Sequence, residues 1–539
     1  MDELPQNPLQ DQRTEISLPH AASSRKWLIP IITLFVIVGL GVIGVFGYQK
    51  FFSKDADQSI IPIEIAAEDA QSSALTTIDV NQTTMKLATI PVDIFENNDL
   101  DEFYFSPDGR KVAYKVPDDE GESLFINNQK GEIYYEININ QDGSPFSPDG
   151  SHIAYEANTD DGSVVVLDGQ ESQTYSENSL KNSIGQYVLY SANGKQAAYV
   201  IRKEDFDDCL FLNGKEVTCD IVTDPVFSPD SKQLAYAVIK NDKSCLVVNK
   251  KEYGCYDGIP DYGVTFSQDS KHLAYEVTDQ DKNFIVVDGI KGILYPLTTD
   301  WMAVQPIGFS PNGERFMYLI RKDKKTVMVV DGKEGKPYDN IESQLSAGHL
   351  FSPDSKHIAY LAEEGSNIIL VIDDKEVGSF VSVEDLVFSP NSEHYAAIVS
   401  RKDDKKSFIL MDGIEYKTYN PIDYTLRFTP NNELSYLHQT NSRFDGSLVV
   451  NEKIISGTDY VKDFFFSNDG KHVAYLTYDK DEKMAYIVID GKKGKLYDEI
   501  HFPIISEEKQ GGGFTHDGKF FTYGVLLGNE LWWIAEPMQ

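Results

Sequence analysis

Four carboxylates recur at one phase of this 539-residue chain. Glu102, Asp224, Asp385 and Asp463 each stand three residues before an aromatic that opens a repeated phrase. Carboxylate oxygens suit hard cations such as Ca2+. Paired carboxylates also do general acid and base work when their surroundings split their pKa values. The same place elsewhere holds Gly143, Tyr187, Gly263, Pro306 and Gly348. A solvated rim is therefore the leading reading, with no metal or cofactor expected and Ca2+ as the alternative. A second set is five histidines at another phase: His152, His272, His357, His394 and His472. A ring of imidazoles can sense pH. Lys111, Gln196, Gln233 and Arg315 hold that position in other repeats, so the position reads first as a polar strand entrance.

Cysteine chemistry is confined to two like-spaced pairs in consecutive repeats, Cys209/Cys219 and Cys245/Cys255. They flank predicted turns at Asn213-Gly214 and Asn249-Lys250. A disulfide within each hairpin is the first expectation, and cross-repeat pairing of Cys209 with Cys245 and Cys219 with Cys255 the second. Free buried thiols are the third. The spacing is too long for a zinc knuckle. The chain holds no G-x-S-x-G elbow, P-loop or HExxH. Gly511-Gly512-Gly513 precedes a strand pattern and not a helix, which favours a close backbone approach over a phosphate cradle. No catalytic residue is assigned.

These residues are positioned by a repeat. The phrase is clearest at Phe351 to Tyr360, FSPDSKHIAY, and it recurs eleven times between Phe105 and Phe514 at spacings of 37 to 48 residues. Such a period marks a repeat architecture. Ser-Pro-Asp-Gly at Ser106 to Gly109 suits a tight turn. The alternation through Ile358 and Tyr360 that follows is strand-like. Each phrase is followed by a β-branched run ending in Asp-Gly or a variant, as at Asp288-Gly289, Asp331-Gly332 and Asp490-Gly491. That is a strong hairpin signal. A tyrosine often comes seven residues after the Asp, at Tyr295, Tyr338, Tyr419 and Tyr497. Each unit thus holds four antiparallel strands, the blade of a β-propeller.

The expected fold class is all-β, a β-propeller of eleven four-stranded repeats over 84–539. Propellers usually have four to eight blades. Two rings are therefore favoured over one wide ring, with a division at the irregular junction 296–308. The last repeat lacks a fourth strand before the chain stops, and the segment Lys86–Phe95 is expected to supply it, closing the ring.

Ahead of the repeats, residues 1–26 are polar and read as a disordered cytoplasmic tail. Trp27 to Tyr48 is an uncharged apolar run of 22 residues, long enough to cross a bilayer. It reads as an uncleaved single-pass anchor. Residues 49–83 read as a polar stalk. Arg13, Arg25 and Lys26 on the N side favour a cytoplasmic tail. Paired cysteines favour an oxidising compartment. The repeats are thus expected outside the cell membrane. The formal charge of −36 repels phosphate backbones and argues against a nucleic-acid partner.

The FSPDG phrase, a polar pair and an apolar-Ala-Tyr strand resemble the repeats of TolB-like propellers, which are akin to WD repeats. Phe105–Tyr114, Phe146–Tyr155, Phe227–Tyr236, Phe351–Tyr360 and Phe466–Tyr475 carry the likeness best. Tyr190-Ser-Ala-Asn-Gly, Phe428-Thr-Pro-Asn-Asn and Phe514-Thr-His-Asp-Gly depart from it. The resemblance covers 85–539. It implies binding of protein partners or ligands on the ring faces and transfers no catalytic residue. The expected function is a non-catalytic module binding protein, peptide or glycan at the envelope. The competing expectation is a hydrolase or lyase acting on an envelope polymer.

Overall fold

In the computed structural model, the turn phrase explains itself at atomic level. Ser106 Oγ accepts the N–H of Lys111 at 2.9 Å and donates to Asp108 Oδ1 at 2.6 Å. The Gly109 N–H closes onto the Ser106 carbonyl at 2.8 Å. Gly109 takes a left-handed φ of 67°, free for glycine. The serine is wholly buried in this turn and in its counterparts at Ser267, Ser310, Ser352 and Ser467. Buried hydroxyls need partners, and the turn backbone supplies them.

Residues 84–538 are described, apart from 98–102, 119, 140–143, 176–187, 204–207, 222, 261–262, 297–303, 343–350, 402–406, 417–424, 440–445, 457–459, 480–482, 503, 507–508 and 511–512. The expected tail, apolar segment 27–48, stalk 49–83 and Glu102 lie outside the described residues. Among the described residues no helix is long and apolar enough to cross a membrane.

Eleven antiparallel sheets follow one another. We number the blades in chain order and letter their strands a to d, with a innermost. Blade 1 runs from Tyr104 to Tyr134, blade 2 from Glu136 to Glu171, blade 3 from Leu189 to Thr218 and blade 4 from Val226 to Tyr256. Blade 5 spans Val264 to Pro296, blade 6 Val304 to Tyr338, blade 7 Asn340 to Phe380 and blade 8 Ser382 to Glu415. Blade 9 spans Arg427 to Ile454 and blade 10 Tyr460 to Lys493. Blade 11 combines strands from Glu499–His501 to Glu530–Pro537 with Thr84–Thr89 from the other end of the chain.

That last pairing closes the ring. Thr84 lies opposite Ile534 and Thr89 opposite Glu530. Leu87, Ala88 and Ile90 are buried against Leu531, Trp533 and blade 1. The expected closing strand ran on to Phe95. The strand instead ends at Thr89, and Val92–Asn97 forms a short helix opened by Pro91, whose missing N–H is harmless there.

The array is one ring of eleven blades, which corrects the favoured two rings. Residues 297–303 at the proposed division are not described, but their flanks join blades 5 and 6. Tyr295 packs on Tyr318 with ring centroids 6.5 Å apart, and His272 lies 6.1 Å from Phe309. Apolar seams likewise join blades 1 and 2, 4 and 5, 6 and 7, 10 and 11, and 11 and 1. Tyrosines at or just past the end of strand d form the outer part of several of these seams. Tyr134 meets Tyr155, Tyr338 meets Tyr360 and Tyr497 meets Tyr523 at 6.2–6.4 Å, edge-on, the geometry aromatic quadrupoles prefer.

Where the turn glycine is replaced, the substitute ties two blades together. Ser231, Ser270, Ser355 and Ser392 adopt φ of 61–65°, which costs a residue with a Cβ. Each hydroxyl accepts a backbone N–H from the preceding blade, from Asn193, Asp230, Asn312 and Asp354, at 2.9–3.0 Å. A net stabilisation of about 1 kcal/mol per hydrogen bond offsets the left-handed backbone.

Candidate functional site

The five histidines are fasteners within blades. In each, Nδ1 lies 2.7–2.8 Å from a carboxylate oxygen of the Asp that starts the c–d turn: Asp168, Asp288, Asp373, Asp412 and Asp490. The second oxygen of that Asp accepts the N–H of the residue after the histidine, as Asp373 does from Ile358 at 3.1 Å. The Asp itself sits at φ of 47–51°, the left-handed corner of a hairpin turn. Types match across repeats. Arg315 pairs with Asp331. Where the turn residue is Asn127, Asn213 or Asn249, the partner position holds Lys111, Gln196 or Gln233. Lys111 and Gln233 reach on to carbonyls of the next blade, at Ser151 and Ser270.

The three sequence-selected acids among the described residues stay apart. Glu102 is outside the described residues. Asp224, Asp385 and Asp463 belong to blades 4, 8 and 10. Asp385 accepts the Leu426 N–H of blade 9 at 2.9 Å. Asp463 pairs with Arg427 of blade 9 at 3.1 Å and accepts the Phe464 N–H at 2.8 Å. Asp224 is half-buried just ahead of strand a of blade 4. Asp385 and Asp463 thus clip neighbouring blades at the inner edge.

Acids that do converge lie beside one of these. Strand a of blade 8, Ser382–Phe388, bulges between Val383 and Asp385, re-aiming Glu384. Glu342 has its pKa raised by burial and by the charges of Glu363 and Glu384. Nothing in the repeat marks these positions, and a bulge has no signature in periodicity. Blade 10 bulges at the same place, between Val461 and Asp463. The adjacent inner strand of blade 11 holds a Glu499–His501 pair at 2.9 Å. Hydrogen bonding to His501 and the charge of Lys462 lower the Glu499 pKa. His501 is wedged against Phe103 and Phe105 of blade 1. After it the inner strand is interrupted: His501 faces Gly524 and the pairing resumes only at Gly513 with Thr522. A small hairpin, Ile504–Ser506 with Lys509–Gln510, occupies part of the interval.

On the outer strands the cysteines pair within hairpins, Cys209 with Cys219 and Cys245 with Cys255. Cys245 and Cys255 lie directly opposite on strands c and d. Among the described residues, the groups of three or more with ligand atoms within 4.8 Å of one another are these pairs with Glu216 and Glu252. Their sulfurs are bonded to each other, so neither group offers thiolates.

No family model and no curated protein sequence matches this chain. Solved structures resemble it in part. A eukaryotic initiation factor is 15% identical, over 60% of this chain and 87% of its own, with a TM-score of 0.35. The β-propeller domain of the trilobed protease from Pyrococcus furiosus is 12% identical, over 61% and 97%, with a TM-score of 0.26. TolB from Acinetobacter baumannii is 15% identical, over 64% and 81%, with a TM-score of 0.23.

Proposed function

We propose that this chain is a membrane-anchored, extracytoplasmic scaffold whose propeller binds a protein, peptide or glycan at the cell envelope without chemistry on it. The observation that carries this reading is how the recurring polar residues are used. The Ser, Asp and His of the repeat are engaged in turns, within-blade fasteners and blade-to-blade ties, so the repeat builds a rigid ring. A rigid ring loses little entropy on docking a partner. The two disulfides and the apolar run 27–48 favour a place outside the membrane. Pull-down with residues 55–539 from envelope extracts, followed by cross-linking in intact cells, tests it. A partner retained by both is expected. Cleavage of only the N-terminal tail by protease added to intact cells overturns the topology.

Glu342, Glu363 and Glu384 favour one second reading, a hydrolase or lyase on an envelope polymer with Ca2+ as a candidate cofactor. Glu342, with its raised pKa, would be the acid. Polymer turnover that needs Ca2+ and disappears in Glu342→Gln would establish it in place of the scaffold.

A further inference from the structure

The d strand of blade 1, Gln129–Tyr134, is the free edge of its sheet. Ile133 and the following Tyr135 are 42% and 60% exposed. A free edge presents unpaired N–H and C=O groups, and proteins usually guard it with lysine. Of the four other six-residue d strands, three, Lys251–Tyr256, Lys333–Tyr338 and Lys375–Phe380, begin with one. The lysine of blade 1, Lys130, is held by Asp118 at 2.6 Å.

The setting of this edge is acidic. Residues 131–180 contain ten Asp or Glu and no Lys or Arg. Over 304–338, the span of blade 6, the corresponding numbers are four and seven. The acids bear directly on the edge. The Tyr135 hydroxyl donates to Asp160, and its pKa is raised by Asp160 and by the charge of Glu120. The Tyr134 hydroxyl donates to Glu171 at 2.7 Å.

We propose that this edge takes up an extended, Lys- and Arg-rich segment of a partner protein as a fifth strand of blade 1. The proposal rests on the scaffold reading above and names the kind of partner. Backbone pairing supplies affinity in such strand addition, and alternate side chains supply selectivity. Here one row of the added strand meets Ile133 and Tyr135. Its basic residues meet carboxylates from a stretch, 131–180, that carries no Lys or Arg of its own. The acidity selects a basic strand over a neutral or acidic one.

The test uses the full-length chain in non-ionic detergent and a fluorescent peptide of about six alternating Lys and Val residues, a usual strand length. A Glu and Val peptide is the control, and anisotropy is the readout. The basic peptide should bind and the acidic one should not. Affinity should fall by about tenfold or more in Ile133→Lys and in Glu132→Gln/Glu136→Gln/Asp161→Asn. Neutralising Glu364, Asp374 and Glu376 on blade 7 should leave it within about twofold. Equal losses from both triple variants would reduce the effect to the net charge of the chain and overturn the site, as would unchanged binding to Ile133→Lys. A pull-down partner that survives Ile133→Lys removes this site and leaves the scaffold reading standing. Absence of any retained partner removes the scaffold reading itself.

Discussion

Blades 1 to 10 are each cut from one stretch of chain, whereas blade 11 is assembled from both ends. Its d strand begins at Thr84 and faces Ile534, a separation of 534 − 84 = 450 residues. By the logarithmic scaling of loop closure, joining such ends costs about 3 kcal/mol more than a hairpin loop of ten residues. The closing blade is correspondingly well tied. Its c strand, Glu530–Pro537, has eight residues where most others have five or six. Lys86 is salt-bridged to Glu530. The Asn529 side chain donates to the Ile90 carbonyl at 2.7 Å, and the Ile90 N–H donates to the Asn529 carbonyl at 2.8 Å. A contiguous blade needs only hairpins and neighbours. The blade that joins the ends needs dense local contacts, because topology opposes it.

The largest effect should come from removing that join. Deleting residues 84–90 takes away Leu87 and Ile90, each worth about 1.5–3 kcal/mol of burial, along with a full ladder. It also bares the Glu530–Pro537 edge. We expect a lower thermal midpoint and self-association in sedimentation or gel filtration, since an open edge templates pairing. Ile369→Ala in blade 7 should cost about 2–4 kcal/mol yet leave the protein monodisperse, because its ring stays closed. A deletion variant that remains monodisperse with an unchanged midpoint would show that the join carries no load.

The disulfide-bonded blades sharpen the same contrast from the outside. Strand Lys251–Tyr256 of blade 4 is stapled by Cys245–Cys255, while Lys375–Phe380 of blade 7 is held by pairing alone. Replacing both cysteines with serine should cost on the order of 2–3 kcal/mol under the chain-entropy account of a short cross-linked loop. Hydrogen exchange should quicken in Lys251–Tyr256 and stay unchanged in Lys375–Phe380. Equal quickening in both would mean that the staple acts on the whole ring and not on one strand.

Repetition made the blades legible in the sequence. Phe351-Ser-Pro-Asp and Asp331-Gly332 announce their turns through local backbone preference, and a missing fourth strand announced closure. The fasteners were not legible, because their partners are distant in sequence. His357 and Asp373 are 16 residues apart, and only pairing of the two strands between them, Ala359–Glu364 and Asn367–Ile372, brings them together. The same holds for Ser355 and the Asn312 N–H, and for Glu342 and Glu384. The signal that would have found the first pair is the concerted exchange of types, His with Asp and Gln with Asn. It yields a prediction. Asp373→Ala should cost about 1–2 kcal/mol by orphaning the Ile358 N–H. His357→Gln combined with Asp373→Asn recreates the Gln196/Asn213 set, so the double variant should be more stable than the sum of its singles by denaturant titration. Strict additivity would mean that the two residues do not act together.

The smallest expected effect separates titrating fasteners from permanent ones. His272 donates from Nδ1 to the Asp288 carboxylate at 2.7 Å, and it lies against Phe309 of blade 6. The hydrogen bond to Asp288 raises its pKa, burial opposes this, the charges of Asp288 and Asp269 add to it, and Lys271 subtracts. A raised folded-state pKa means that the fold favours the imidazolium. The stabilisation is therefore full below the unfolded value of about 6.5 and is lost as pH rises through the higher folded value. Arg315 makes the matching bond to Asp331 in blade 6 at 2.9 Å, with a guanidinium that keeps its charge throughout. In urea titrations between about pH 6 and pH 8, the stability lost on His272→Gln should shrink steadily as pH rises. The loss on Arg315→Gln should stay level. Parallel pH profiles for the two variants would mean that His272 is held by shape alone, and that its fastener, like that of blade 6, does not respond to protons.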